Sequence, residues 1–411
     1  MSTGAGVGEG GLGEGGLGGG ALGGGGGGLG GGGPREGGLG QGGLGAPALG
    51  AARRPGGSAW IWSPALDLGV FALPALVAFA LAAALQGATA GALPEWAWLC
   101  FVLGVDVAHV WSTIFRTYLD PAELRRRPLR YALVPLACWA AGALLHARSP
   151  ALFWRVLAYA ALLHFVRQQL GWAAVYRARA RTTGRADRLI DELALYAATG
   201  VPVFLWHVSL PRPFAWFLQG DFVDLAPLAP LAPFAQGLLV AALAAFALHH
   251  ARRARQGAPI AAGKIALVAS TAVAWYGGIV ADDDLTFTLT NVLPHGVPYV
   301  ALLWAYARAG RRRAPGTPAA RVVALGFGAF VGALLLLAFV EEMAWDALVW
   351  HDRPWLFGAW PAFELGGWAH ALVPLLALPQ ATHYALDALL WRRGEANAAQ
   401  AEALGFGRAP D

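Results

Sequence analysis

Charge is scarce in this chain: only 13% of its 411 residues are Asp, Glu, Lys or Arg, about half the share usual in a soluble globular domain. Lysine is almost missing, with Lys264 alone against 29 arginines. Asparagine occurs twice, at Asn291 and Asn397, and cysteine twice, at Cys100 and Cys138. Two cysteines exclude a disulfide scaffold, and no C-x-x-C-H motif offers covalent haem attachment. Both cysteines fall in apolar blocks and read as small core residues. The lysine deficit accompanies an excess of Ala, Gly and Leu, which marks a codon-composition bias, so the choice of Arg over Lys carries no message of its own.

What is present is apolar. Hydrophobic residues make up 57% of the chain and mean hydropathy is +0.49. They come in long blocks rather than amphipathic stripes, the pattern of helices that span a bilayer. The net charge of +5 does not point to nucleic acid, because the arginines sit in short runs between apolar blocks, as a membrane topology requires.

Residues 1–58 are Gly-rich and too poor in apolar residues to offset their ordering entropy, so they are expected to form a disordered tail. Matches to G-x-G-x-x-G there are compositional, since no strand precedes them and no helix follows. Nor does this stretch have the charged start and apolar core of a signal peptide. The domain of spanning helices covers 59–393, and 394–411 form a second short tail.

Ten blocks approach the ~20 residues needed to cross a bilayer: 67–86, 95–115, 130–147, 152–175, 189–209, 232–250, 263–281, 286–308, 321–341 and 368–391. Every even-numbered junction is basic, carrying Arg125 to Arg127, Arg177 to Arg188, Arg252 to Lys264, Arg308 to Arg321, and Arg392 with Arg393. The odd junctions are acidic, with Asp221, Asp224, Asp282 to Asp284, Glu341, Glu342 and Asp346. By the positive-inside rule both termini are cytoplasmic, and a cytoplasmic membrane of bacterial type is the expected location. Two outer loops rich in Trp, 211–233 and 345–360, suit the headgroup level. Glu341 and Glu342 are expected to be solvated at the outer mouth.

Ionisable groups inside spans are costly and mark functional sites by default. The stretch Val105–Asp120 carries Asp106, His109 and Arg116 within span 2. His164, His295 and His383 occupy spans 4, 8 and 10, which run in the same direction as span 2. At ~1.5 Å per residue three of the four lie roughly 18–23 Å below the outer boundary, with His295 nearer the midplane. Each has polar company at helical spacing: Asp106 before His109, Arg167 and Gln168 after His164, Asn291 before and Tyr299 after His295, and Gln380 and Asp387 around His383. Pro294, Pro298, Pro374 and Pro379 are expected to bend spans 8 and 10. Imidazoles on facing helices with carboxylates beside them form the usual donor set of a transition metal. His109, His164, His295 and His383 are therefore candidate ligands, with Asp106 and Asp387 as ligands or supporting acceptors, and Arg167, Gln168 and Asn291 as catalytic or substrate-binding groups. Arg167 is expected to pair with Asp387, Asp106 or an anionic head group. Iron is the foremost candidate metal and haem the lesser one.

Histidines on several spanning helices resemble, at the level of a class, the integral-membrane His-cluster oxygenases, among them the retinal-forming carotene dioxygenases of bacteria. The H-x-x-H-H boxes of membrane desaturases are missing, and His249-His250 has no His three residues upstream, so the resemblance assigns no catalytic residue. The expected activity is a metal-dependent, redox-type enzyme on a lipophilic substrate, with membrane lipids as partners and no nucleic acid. A proton- or ion-coupled transporter using the same residues as a relay is the alternative. A structural membrane protein, in which each His only locks packing, would leave the four rings apart.

Overall fold

The computed structural model describes residues 60–182, 184–361, 364–391 and 397–406. The Gly-rich stretch 1–58, Arg392, Arg393 and part of the C-terminal tail lie outside the described residues. The described chain is helical, with no strand. Seven helices are long and apolar enough to cross a membrane: α1 Pro64–Thr89, α2 Glu95–Arg116, α3 Pro128–Arg148, α5 Arg185–Val208, α6 Ala226–Arg255, α7 Ala262–Val280 and α9 Phe327–Trp350. The three other expected spans coincide with α4 Pro150–Ala180, α8 Asp284–Arg313 and the pair α10 Ala369–Leu376 and α11 Leu378–Leu390. These three are the ones that carry His164, His295 and His383. A short helix α12, Ala398–Ala403, follows.

Local chemistry explains where the polar helices begin and bend. Ser149 starts α4 by accepting from the Leu152 amide, with Pro150 in the first turn, where its missing N–H costs nothing. Asp283 caps α8 through the Thr286 amide. α8 runs as one helix through Pro294 and Pro298. Span 10 does break, between Leu376 and Leu378, since Pro379 has no N–H for the preceding turn. In α2, ten residues from Trp98 to Val107 wind as a π-helix, a rare form that frequently occurs at functional sites. It ends two residues before His109.

α8 is the central post, buried on nearly every face from Leu285 to Tyr299 and packed against α1, α2, α7 and α12. It meets α2 tightly at Gly296, where an added Cβ would stand 2.7 Å from Val105 Cγ1 and 3.6 Å from His109 Cβ. Only glycine lets the two backbones meet there, and the meeting brings His295 to His109. Gly296→Leu is expected to push α8 off α2 and destabilise the bundle by about 1–3 kcal/mol or more, as overpacking does, read as a lower thermal unfolding temperature.

The bundle has two distinct ends. The Arg-rich junctions gather at one of them: Arg116 pairs with Glu123 at 3.1 Å and donates to Gln400 of α12, while Arg312 pairs with Glu402. Tyr306 donates to Asp120, and Arg179 binds the carbonyls of Trp60 and Gly405. Burial pushes the Glu123 carboxyl up, but the Arg116 charge and the Tyr131 hydroxyl outweigh it and hold the carboxyl below its ordinary value. At the other end Arg212 binds Asp282, Arg353 faces Glu95 at 3.4 Å, and Trp154 packs on Trp345 and Trp350. Glu341, expected to be solvated there, is buried at 6% exposure and accepts from Trp111 Nε1 at 2.6 Å. Both cysteines are free; Cys100 is exposed on the bundle surface rather than in the core.

Candidate metal centre

The four expected histidines converge. His109, His164, His295 and His383 are each buried, at 1%, 7%, 1% and 2% exposure, and one ligating atom of each lies within 4.8 Å of all the others. His109 and His295 face each other with Nε2 atoms 3.0 Å apart, and His383 and His164 do so at 3.1 Å. The rings close a square, with centroids 4.6 Å apart for His109–His295, 5.0 Å for His295–His164, 4.5 Å for His164–His383 and 5.1 Å for His383–His109. Around one metal with bonds of ~2 Å, ligand nitrogens stand between ~3 and ~4 Å apart. The set is thus within about an ångström of closing on a single ion. Four helices supply it: α2, α4, α8 and α11.

What stands behind the rings decides which nitrogen faces inward. Asp387 Oδ1 accepts from Tyr299 at 2.5 Å and from Trp391 Nε1 at 2.8 Å. A carboxylate only accepts, so Tyr299 donates to it. The Tyr299 oxygen is then free to accept from Thr113, 3.1 Å away, and Thr113 in turn accepts from His383 Nδ1 at 2.6 Å. The chain runs one way, and it puts the His383 proton on Nδ1 and a lone pair on Nε2, aimed at the centre. Asp106 Oδ1 lies 3.6 Å from His109 Nδ1 and Asp387 Oδ2 lies 3.9 Å from His164 Nδ1. Both carboxylates sit on the outward side of the rings, in the positions that orient a ligating imidazole, rather than among the inward-facing nitrogens. His295 is fixed differently: Phe165 stacks on it with centroids 3.5 Å apart, and Gln168 Nε2 donates to its backbone carbonyl.

The other expected residues are dispersed. Asn291, a turn before His295, is buried and donates to the Phe287 carbonyl of its own helix. Arg167 is exposed on the wall of a groove that also reaches His164 and Asp387. Its expected pairing with Asp387 or Asp106 is not found among the described residues. Asp191 of α5 binds Lys264, Arg177 and His250. The residues sequence reasoning left out are Thr113, Trp391 and Phe165. Thr113 had a signal: each His is followed four residues on by a polar group, namely Thr113, Gln168, Tyr299 and Asp387. In a helix those groups share the face of the His. Here they cross to support a neighbour's ring or its helix.

If the outer carboxylates orient ligands, removing their charge weakens metal binding without abolishing it. Asp387→Asn and Asp106→Asn are each expected to lower metal affinity about 10- to 100-fold, measured by competition with a chelator of known affinity. Asp387→Asn should have the larger effect, because the Tyr299–Thr113–His383 chain ends on that carboxylate.

The chain matches no known protein family, no curated protein and no solved structure. Fold and site together define a helical membrane protein with a buried cluster of four histidines that can hold a metal ion.

Proposed function

We propose that this protein is a membrane-embedded, metal-dependent enzyme of redox type acting on a lipophilic substrate. The observation that carries the reading is the convergence of four buried imidazoles, from four helices, on one point. Four neutral nitrogen donors suit iron, copper, zinc or manganese, and a redox-active member of that group would supply one-electron or dioxygen chemistry. Iron is the metal we favour. Haem fits less well, since four rings packed edge to face around one point leave no plane for a macrocycle. His109, His164, His295 and His383 would be the ligands, with Asp106 and Asp387 supporting them.

In this reading the chain crosses the bilayer ten times with both termini in the cytoplasm. The α4 and α8 helices carry polar residues that face the centre rather than lipid, and the tenth crossing is made by the two shorter helices α10 and α11. The cavity beside His164 holds about 1060 Å³, enough for a lipid-sized molecule. Metal analysis of the purified chain tests the proposal. About one transition-metal ion per chain is expected, and protein free of iron, copper, zinc and manganese, which takes up none on incubation, would refute it.

A further inference from the structure

The groove that reaches the centre runs along α4 and has a marked polarity. Its wall on one side of His164 is apolar, made by Leu145, Phe153, Val156, Leu157, Ala160 and Leu163. Next to the centre it is lined by His164, Tyr299, Tyr384 and Asp387, and then come Arg167 and Gln168. Further toward the Arg-rich end stand Arg177, Arg188 and Glu192. Those last cations are neutralised: Arg177 faces Asp191 at 3.3 Å and Glu192 at 3.6 Å, and Arg188 faces Glu192 at 2.8 Å. Arg167 lies ten residues before Arg177, about 15 Å higher along the helix, and has no carboxylate partner among the described residues.

A guanidinium inside a span, away from the end where the other arginines are paired, calls for a counter-charge. An acceptor-rich head satisfies it by accepting from the paired N–H donors of the guanidinium. From Arg167 to Phe153 the groove wall is about 21 Å long, more than the ~15 Å of one leaflet's hydrocarbon. We propose, resting on the enzyme reading above, that the groove binds an elongated anionic amphiphile. Its carboxylate or phosphate lies on Arg167, and its hydrocarbon chain runs past His164 toward Phe153. His164 precedes Arg167 by three residues, about 4.5 Å along the axis. The part of the chain nearest the head, not its far tail, therefore passes the centre.

The test is binding, so it does not depend on turnover. The full chain in neutral nanodiscs is titrated with a fluorescent polyene fatty acid. The bound probe is then displaced with palmitate, with hexadecyl phosphate and with the uncharged hexadecanol. Displacement by one or both anionic competitors at concentrations at least tenfold below hexadecanol is expected, and the stronger one identifies the head. Arg167→Gln should remove that tenfold preference, Arg167→Lys should keep most of it, and Ala160→Trp should weaken all three competitors by filling the groove. Equal displacement by acid, phosphate and alcohol would overturn the proposal, as would a preference that survives Arg167→Gln. The metal content of the same preparations separates the two readings. An Arg167-dependent anion preference in protein that takes up no metal would uphold the lipid site and sink the enzyme; bound metal without the preference would do the reverse.

Discussion

Replacing any one of His109, His164, His295 or His383 with Ala is expected to lower metal affinity at least a hundredfold, ~3 kcal/mol at about 1.4 kcal/mol per decade. The four positions should behave alike, because each contributes one nitrogen to a set whose members lie within 4.8 Å of one another. His146→Ala is the control: that ring meets His370 at 2.9 Å near the opposite end of the bundle, and its loss should leave the bound metal unchanged. Occupancy should also fall as pH falls, since an imidazole must be unprotonated to ligate and protons compete with the ion. If instead the four rings are two hydrogen-bonded pairs that only lock the helices, each substitution would lower thermal stability by a similar small amount. No metal would then track the histidines. Elemental analysis together with thermal unfolding distinguishes the outcomes, because one follows the metal-to-protein ratio and the other does not.

The convergence was readable from helical rise because α2, α4 and α8 run between the same two ends of the bundle. Counting residues from the boundary then measures depth, and equal depth on neighbouring helices permits contact. Composition carried the membrane class for the same reason: a chain with 13% charged residues cannot cover a soluble surface. What could not be read was rotation about each axis. The π-helical turn of α2 from Trp98 to Val107 changes which residues face α8, and nothing in the apolar run WLCFVLGVDV announces it. Gly296 looked like one of 56 glycines, yet it sets the α2–α8 contact. The supporting hydrogen bonds run between helices, so the position of Thr113 four residues after His109 did not reveal that its partner is His383, 270 residues away. Glu341 seemed solvated because it lies near the end of an apolar block; the Trp111 indole that shelters it comes from another helix. Hydropathy places a residue along the axis, and only packing places it around the axis.

The second large effect is expected at Asp191, which lies outside the histidine cluster. Asp191 is wholly buried, and three cationic or ionisable groups meet on it. Lys264 Nζ is 2.8 Å from Oδ2, Arg177 Nη1 is 3.3 Å from the same oxygen, and His250 Nε2 is 3.3 Å from Oδ1. Lys264, the chain's single lysine, is itself wholly buried. Asp191→Ala would leave that ammonium in a site with no other carboxylate in contact among the described residues. Breaking one side of a buried ion pair costs about 3–5 kcal/mol, much more than the net worth of the pair, because the remaining charge stays desolvated. Lys264→Met alone should cost less, since Asp191 keeps Arg177 and His250. The double variant Asp191→Ala with Lys264→Met should then be more stable than Asp191→Ala alone, a coupling that a double-mutant cycle measures directly. Thermal unfolding in detergent reads all three, and a double variant no more stable than Asp191→Ala would show that the joint is not an electrostatic one. The joint ties the Arg-rich end of α4 to α5, α6 and α7 and so fixes the wall on which His164 and Arg167 stand. Asp191→Ala protein that remains folded should keep whatever metal binding the wild type has, because none of the four histidines touches this network. Stability and metal binding therefore separate along α4, and a variant that loses one while keeping the other shows which part of the helix holds the bundle and which part forms the site.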